Sequence, residues 1–219
     1  RLPVLFFCFG SCLFSCGIEE KDSESPVEGL HVPEGFEIAR VVAPDMVSYP
    51  MFATLDNQGR LFVIESSGKT TSTEDVLNNP TFKILLLDDT DEDGTYDDRK
   101  VYADKIPYPM GGTFYRGSFY VAAPPDLLRF TDTDDDGVAD TREVILSGWT
   151  LNHNAATLSG PFFGPDGWLY MCDARRGFTI KTKEGRELNG KGARIWRCRP
   201  DGTGLESISG GGFDNTIEL

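Results

Sequence analysis

The chain has 219 residues with 35 acidic and 21 basic side chains, a formal net charge of −14 with both histidines neutral. Such an excess repels a phosphate backbone, so nucleic acid is not an expected partner. There is no Cys-x-x-Cys-His haem site and no Gly-x-Gly-x-x-Gly fingerprint, which leaves a Rossmann-type nicotinamide enzyme without support.

Residues 2–14 are almost wholly apolar, too short to span a bilayer comfortably, and they run into Leu13-Phe14-Ser15-Cys16. The run resembles a bacterial lipoprotein signal, in which Cys16 becomes the lipidated first residue; Cys12 is a second choice, and a generic secretory signal is the alternative. Every one of these readings takes the mature protein out of the cytoplasm, anchored by lipid in the periplasm or on the outer-membrane surface in the first. Residues 1–16 are thus read as signal, 17–28 as an acidic tether and 29–219 as the folded domain. Losing Arg1 leaves 35 acidic against 20 basic residues, a net of −15. The chain starts at Arg1 rather than Met and stops in a segment, 216–219, that reads as the inner strand of another unit, so a longer protein is expected.

Within 29–219 two series of motifs alternate. Tight Gly turns open aromatic strands at Asn57-Gln58-Gly59-Arg60, Arg116-Gly117 and Pro165-Asp166-Gly167. Acidic loops separate short apolar runs at 89–97 and 132–140, and Arg199-Pro200-Asp201-Gly202 takes the equivalent place later. Together they predict four-stranded units at 51–55, 60–65, 82–87 and 99–103; at 111–115, 118–123, 126–130 and 142–146; and at 155–163, 168–173, 193–198 and 204–209. Units repeating at intervals of about 50 residues with almost no helical periodicity predict an all-β fold, a β-propeller of which this chain holds about three and a half blades.

The acidic loops carry carboxylates at positions 1, 3, 5 and 9 around a turn glycine: Asp89, Asp91, Asp93 and Asp97, then Asp132, Asp134, Asp136 and Asp140. A hard cation such as calcium needs that convergence of oxygens, and Glu143 falls at position 12 of the second loop, where a bidentate ligand sits. Strands rather than helices flank the loops, so bound calcium would stiffen turns rather than drive a sensor. A solvated acidic turn is the alternative. Cys172 and Cys198, outside the signal, either pack as small apolar residues or pair in an oxidising compartment.

In such a blade the A–B and C–D turns share one end, and the B–C and D–A links share the other. The Asp loops belong to the first end. His153 belongs to the second, with Asp173, Arg175, Arg176 and Lys181 of the third unit's B–C link. Neutral imidazole suits a general base for a hydroxyl proton, and the arginines suit an anionic ligand; a structural His153 and solvated cations are the alternatives.

His153, the run 163–170 (Phe-Gly-Pro-Asp-Gly-Trp-Leu-Tyr), the run 193–197 (Ala-Arg-Ile-Trp-Arg) and the paired Asp loops together resemble the N-terminal propeller of the bacterial "membrane-bound dehydrogenase" proteins. Those are similar to soluble glucose and aldose sugar dehydrogenases, six-bladed propellers that use calcium and pyrroloquinoline quinone (PQQ). The resemblance spans about 32–219. It implies oxidation of a sugar or alcohol with His153 as the base, Asp173 orienting it after a two-residue shift, and Arg175, Arg176 and Asn215 near the quinone. A cytochrome or haem domain outside this chain would be a further partner. The family's quinone site has an Arg-Asn pair where this chain has Asp214-Asn215, and an acid there would repel a tricarboxylate. Two other readings stand beside this one: a non-catalytic glycan- or protein-binding propeller, and a gluconolactonase-like hydrolase with a channel metal held in part by Asp214 and Asn215.

Overall fold

The computed structural model describes residues 29–152 and 157–212. The chain divides into two compact units, Arg1–Arg40 and Val41–Leu219. In the first, the described residues 29–40 form turns, one closed by the Phe36 N–H donating to the Pro33 carbonyl at 3.1 Å. No helix among the described residues is long and apolar enough to cross a membrane. Cys16, His153, Asp214 and Asn215 lie outside the described residues.

The second unit is all-β, a propeller built of four-stranded antiparallel sheets. The first sheet is β1 (Pro50–Leu55), β2 (Leu61–Glu65), β3 (Phe82–Asp88) and β4 (Asp98–Ile106), in that spatial order. The second is β5 (Gly112–Tyr115), β6 (Ser118–Ala123), β7 (Asp126–Thr131) and β8 (Thr141–Ser147). The third is β9 (Ser159–Phe163), β10 (Leu169–Asp173), β13 (Arg194–Cys198) and β14 (Glu206–Gly210), with a hairpin of β11 (Gly177–Lys181) and β12 (Glu187–Lys191) inserted between its second and third strands. Each sheet is the meander expected from the alternating turns.

The turns form where backbone chemistry demands them. Arg116 and Gly117 both have positive φ, 48° and 79°, which matches the twist of a two-residue hairpin joining β5 to β6. Between β1 and β2 the Asp56 carboxylate closes the turn instead, accepting from the Gln58 and Arg60 N–H groups at 2.8 and 2.9 Å.

Period-two alternation then sorts side chains between faces. Phe62 and Ile64 of β2 join Phe119 and Val121 of β6 in a core between the first two sheets. Tyr120 and Ala122 point the other way, into a core with Met171, Trp196 and Trp149. The outer face of the first sheet is covered by its own chain, where Val42, Met46 and Val47 pack on Val63, Leu85 and Leu87.

One difference from the sequence reading concerns a link, and the cysteines follow the packing alternative rather than the disulfide. The first B–C link contains a short helix, α1 (Thr73–Asn78), whose N-cap Ser72 accepts from the Asp75 N–H. Cys172 and Cys198 are both free and buried. The register pairs Cys198 with Leu169 and Cys172 with Ile195, so the two thiols lie on opposite faces of one sheet and cannot pair.

Candidate functional site

The two Asp loops, joining β3 to β4 and β7 to β8, fold alike. In both, position 4 is left-handed (Glu92 and Asp135, each φ 59°) and the following glycine is positive (Gly94, 91°; Gly137, 87°). The first carboxylate of each loop accepts the glycine N–H at 2.8 Å: Asp89 from Gly94 and Asp132 from Gly137. That wrapping brings one oxygen each from Asp89, Asp91 and Asp93 within 4.8 Å of one another, and likewise from Asp132, Asp134 and Asp136. Oδ1 of Asp132 is buried with no hydrogen-bond partner. Asp136 holds the Asp134 carboxyl above the usual carboxylate range, the repulsion expected of crowded like charges.

The remaining predicted ligands do other work. Asp97 and Asp140 close their loops, accepting from the Thr90 and Thr133 N–H groups at 2.9 and 2.7 Å, and the threonine bonds pull both carboxyls below the usual range. Glu143 stands apart from the Asp132 trio. Strand β8 has already begun at Thr141, and its register sets Glu143 opposite Arg129. The Arg129 guanidinium takes that carboxylate with Nε at 2.7 Å and with Nη2, so it does not join the Asp132 cluster.

At the opposite end of the third sheet, β10 terminates in Asp173. The pairing of Cys172 with Ser159 sets Asp173 level with the chain entering β9 from 157–158. Just upstream, Asn152 and Thr157 are buried, and the Asn152 N–H donates to Thr157 Oγ1 at 3.4 Å. Asp173 is 4% exposed; its Oδ1 accepts from the Arg194 N–H at 2.6 Å, while Oδ2 has no hydrogen-bond partner among the described residues. Burial pushes its carboxyl up to about 6, against the pull of the Arg194 N–H and the Trp196 indole. Trp196 shares that face, and its Nε1 also lacks a hydrogen-bond partner, so the indole favours the charged carboxylate by proximity without bonding to it. Thr157 was not among the residues singled out from sequence, and Trp196 entered there only as part of the run 193–197. Trp196 stands two residues from Arg194, which faces Asp173, and that spacing was the available signal.

Arg175 and Arg176 are exposed in the link from β10 to β11, at the same end as Asp173. Lys181 is not at that end. Gly148 and Trp149 hold the base of the hairpin through the Thr179 N–H donating to the Gly148 carbonyl at 2.8 Å. The tip reaches the other end, where the Gly204 N–H donates to Glu184 at 2.7 Å and Arg186 donates to the Leu205 carbonyl at 2.9 Å. The hairpin therefore carries Lys181 along the blade and away from the mouth.

A family model described as "Domain of unknown function (DUF7133)" matches residues 22–217. The chain belongs to the DUF7133 family. No curated protein matches this DUF7133 chain. Among solved structures, it is similar to an iodide structure of the Trichoderma reesei Carbohydrate-Active Enzymes Family AA12, at 13% identity and a TM-score of 0.45, over 73% of this chain and 37% of that one. A calcium structure of the same Trichoderma reesei family gives 12% identity and a TM-score of 0.41, over 62% and 36%. The DUF7133 chain thus spans little more than a third of the length of these structures.

Proposed function

We propose that this DUF7133 chain is part of an extracytoplasmic, quinoprotein-like dehydrogenase that oxidises a sugar or alcohol, with calcium stiffening its Asp loops. The observation that carries the proposal is Asp173: a buried carboxylate with one oxygen unpartnered among the described residues, level with the chain at 157–158 that enters β9. A carboxylate there holds an imidazole in one tautomer and stabilises its protonated form, which is what a base removing a hydroxyl proton requires. The resemblance noted in the sequence supplies the partner chemistry.

The donor set fits the cofactors as far as it is described. Two trios of convergent carboxylates suit a hard divalent cation. Arg175 and Arg176 offer guanidinium forks at the mouth, suited to carboxylates of a quinone. Bound PQQ would supply the two-electron acceptor. The chain's own part is to bind its carboxylates, to place the substrate hydroxyl and to take the hydroxyl proton at His153. Lipid anchoring through Cys16 would hold the site outside the cytoplasm, within reach of a cytochrome or haem partner.

Titrating PQQ into the calcium-loaded full-length protein while following its absorbance tests this reading. Saturable binding that weakens in Arg175→Gln and Arg176→Gln supports it; absence of binding removes the quinone reading and leaves a binding propeller.

A further inference from the structure

We propose that the cleft between the β11–β12 hairpin and strands β13–β14 is a second binding site, one that takes an oxyanion group, carboxylate or phosphate, carried by a small molecule of sugar size. This inference does not depend on the redox reading.

The charge distribution points to it first. Nine of the chain's 21 basic residues fall in 175–199, against only Glu184 and Glu187 among 35 acids. A strongly acidic protein therefore concentrates cations on one hairpin and the strand after it. The cleft there has a volume of about 420 Å³, within the usual range for small-molecule sites of about 300–1,000 Å³. Phe178, Leu188 and Leu205 give it an apolar wall, and Arg186 and Arg194 line it together.

Both guanidiniums are held in place by backbone carbonyls rather than by an ion pair. Arg186 donates to the Leu205 carbonyl at 2.9 Å, and Arg194 donates through Nε to the Lys191 carbonyl at 3.2 Å while lying 5.3 Å from the centre of the Phe178 ring. Neither forms an ion pair among the described residues. Two acids, Glu187 and Glu206, also line the cleft. Glu184 accepts from the Gly204 N–H, and Glu206, paired in register with Arg197, forms its ion pair there. Glu187 lies across the hairpin from Lys181. Two backbone-anchored guanidiniums over an apolar wall leave free N–H groups in the planar geometry that carboxylate and phosphate accept.

The test is calorimetric titration of the full chain with inorganic phosphate, glucose 6-phosphate, D-glucuronate and, as the uncharged control, D-glucose. The expected result is saturable binding of at least one anion, weakened by added salt and weakened at least about tenfold by Arg194→Gln and by Arg186→Gln, with glucose not bound. Tighter binding of the phosphates assigns a phosphorylated ligand, and tighter binding of glucuronate a carboxylated one. Circular dichroism checks that each variant folds, and Arg194→Lys, which keeps the charge but loses the fork, gives an intermediate affinity. No saturation by any anion, equal binding of glucose, a salt-independent affinity, or unchanged affinity in the folded Gln variants overturns the proposal.

Discussion

Arg60, at the entry to β2, bridges its own turn to the next blade: its Nε meets Asp56 at 2.7 Å and its Nη1 meets Asp135 of the second Asp loop at 3.1 Å. The two halves of this bridge are unequal. The Asp56 side chain is 1% exposed and that of Asp135 is 68% exposed. Losing Arg60 strands a buried carboxylate, whereas losing Asp135 removes only a screened surface contact. Arg60→Ala should lower unfolding free energy by about 2 kcal/mol and Asp135→Asn by less than about 0.5 kcal/mol, read from urea midpoints.

The metal loops give a prediction that separates ligands from neighbours. Asp132→Asn removes an oxygen of the second trio, and Asp89→Asn one of the first. Each should weaken calcium at its own loop by at least about tenfold in terbium-luminescence competition. Glu143→Gln should leave calcium affinity within about twofold, since that carboxylate is bonded to Arg129. A tenfold loss in Glu143→Gln would return it to the ligand set.

Asp173 makes stability depend on pH. Its carboxyl titrates at about 6 in the folded chain against an ordinary 3.8, with burial as the main cause. The folded state therefore binds this proton more tightly, and the group's contribution is most favourable below about pH 4 and is lost as pH rises through about 6. Asp173→Asn keeps an acceptor for the Arg194 N–H but has no charge to bury. Its stability advantage over wild type should grow between pH 4 and 7, to at most about 3 kcal/mol, in urea unfolding at the two pH values.

Gly192 is a place where the backbone leaves no room. A Cβ there would sit 1.9 Å from the Arg176 carbonyl oxygen and 2.0 Å from that of Ala174. Gly192→Ala must displace the link carrying Arg175 and Arg176, at a cost of about 3 kcal/mol or more. Gly59→Ala meets no atom within 4 Å and is opposed only by its φ of 87°, so it should cost about 1 kcal/mol. Thermal melts of the two variants give the comparison.

Much of the fold could be read in the sequence because its signals are local. Alternation in runs such as Phe119 to Ala123, glycine turns and the repeated Asp loops each act over a few residues, and the strands follow them closely. What escaped depends on tertiary partners. The β11–β12 hairpin is placed by Gly148, Trp149 and Gly204, far from it along the chain. Helix α1 has six residues, too few for a periodic stripe, though Ser72 and Asp75 marked its start. The Arg129 partner of Glu143 follows from the strand register that begins at Thr141, which loop numbering does not display. For the site, Asp173 could be found from the B–C link, but its unpartnered oxygen and the adjacent Trp196 follow from sheet pairing that sequence does not display.

The most direct measurement is dye-coupled oxidation of a panel of aldoses by the full-length protein loaded with calcium and PQQ, across pH, for wild type, Asp173→Asn and His153→Ala. Aldose-dependent turnover that rises with pH through about 6, falls by about 100-fold or more in His153→Ala and loses that rising limb in Asp173→Asn is the predicted result. Turnover that is absent, or equal in all three proteins, would contradict the account.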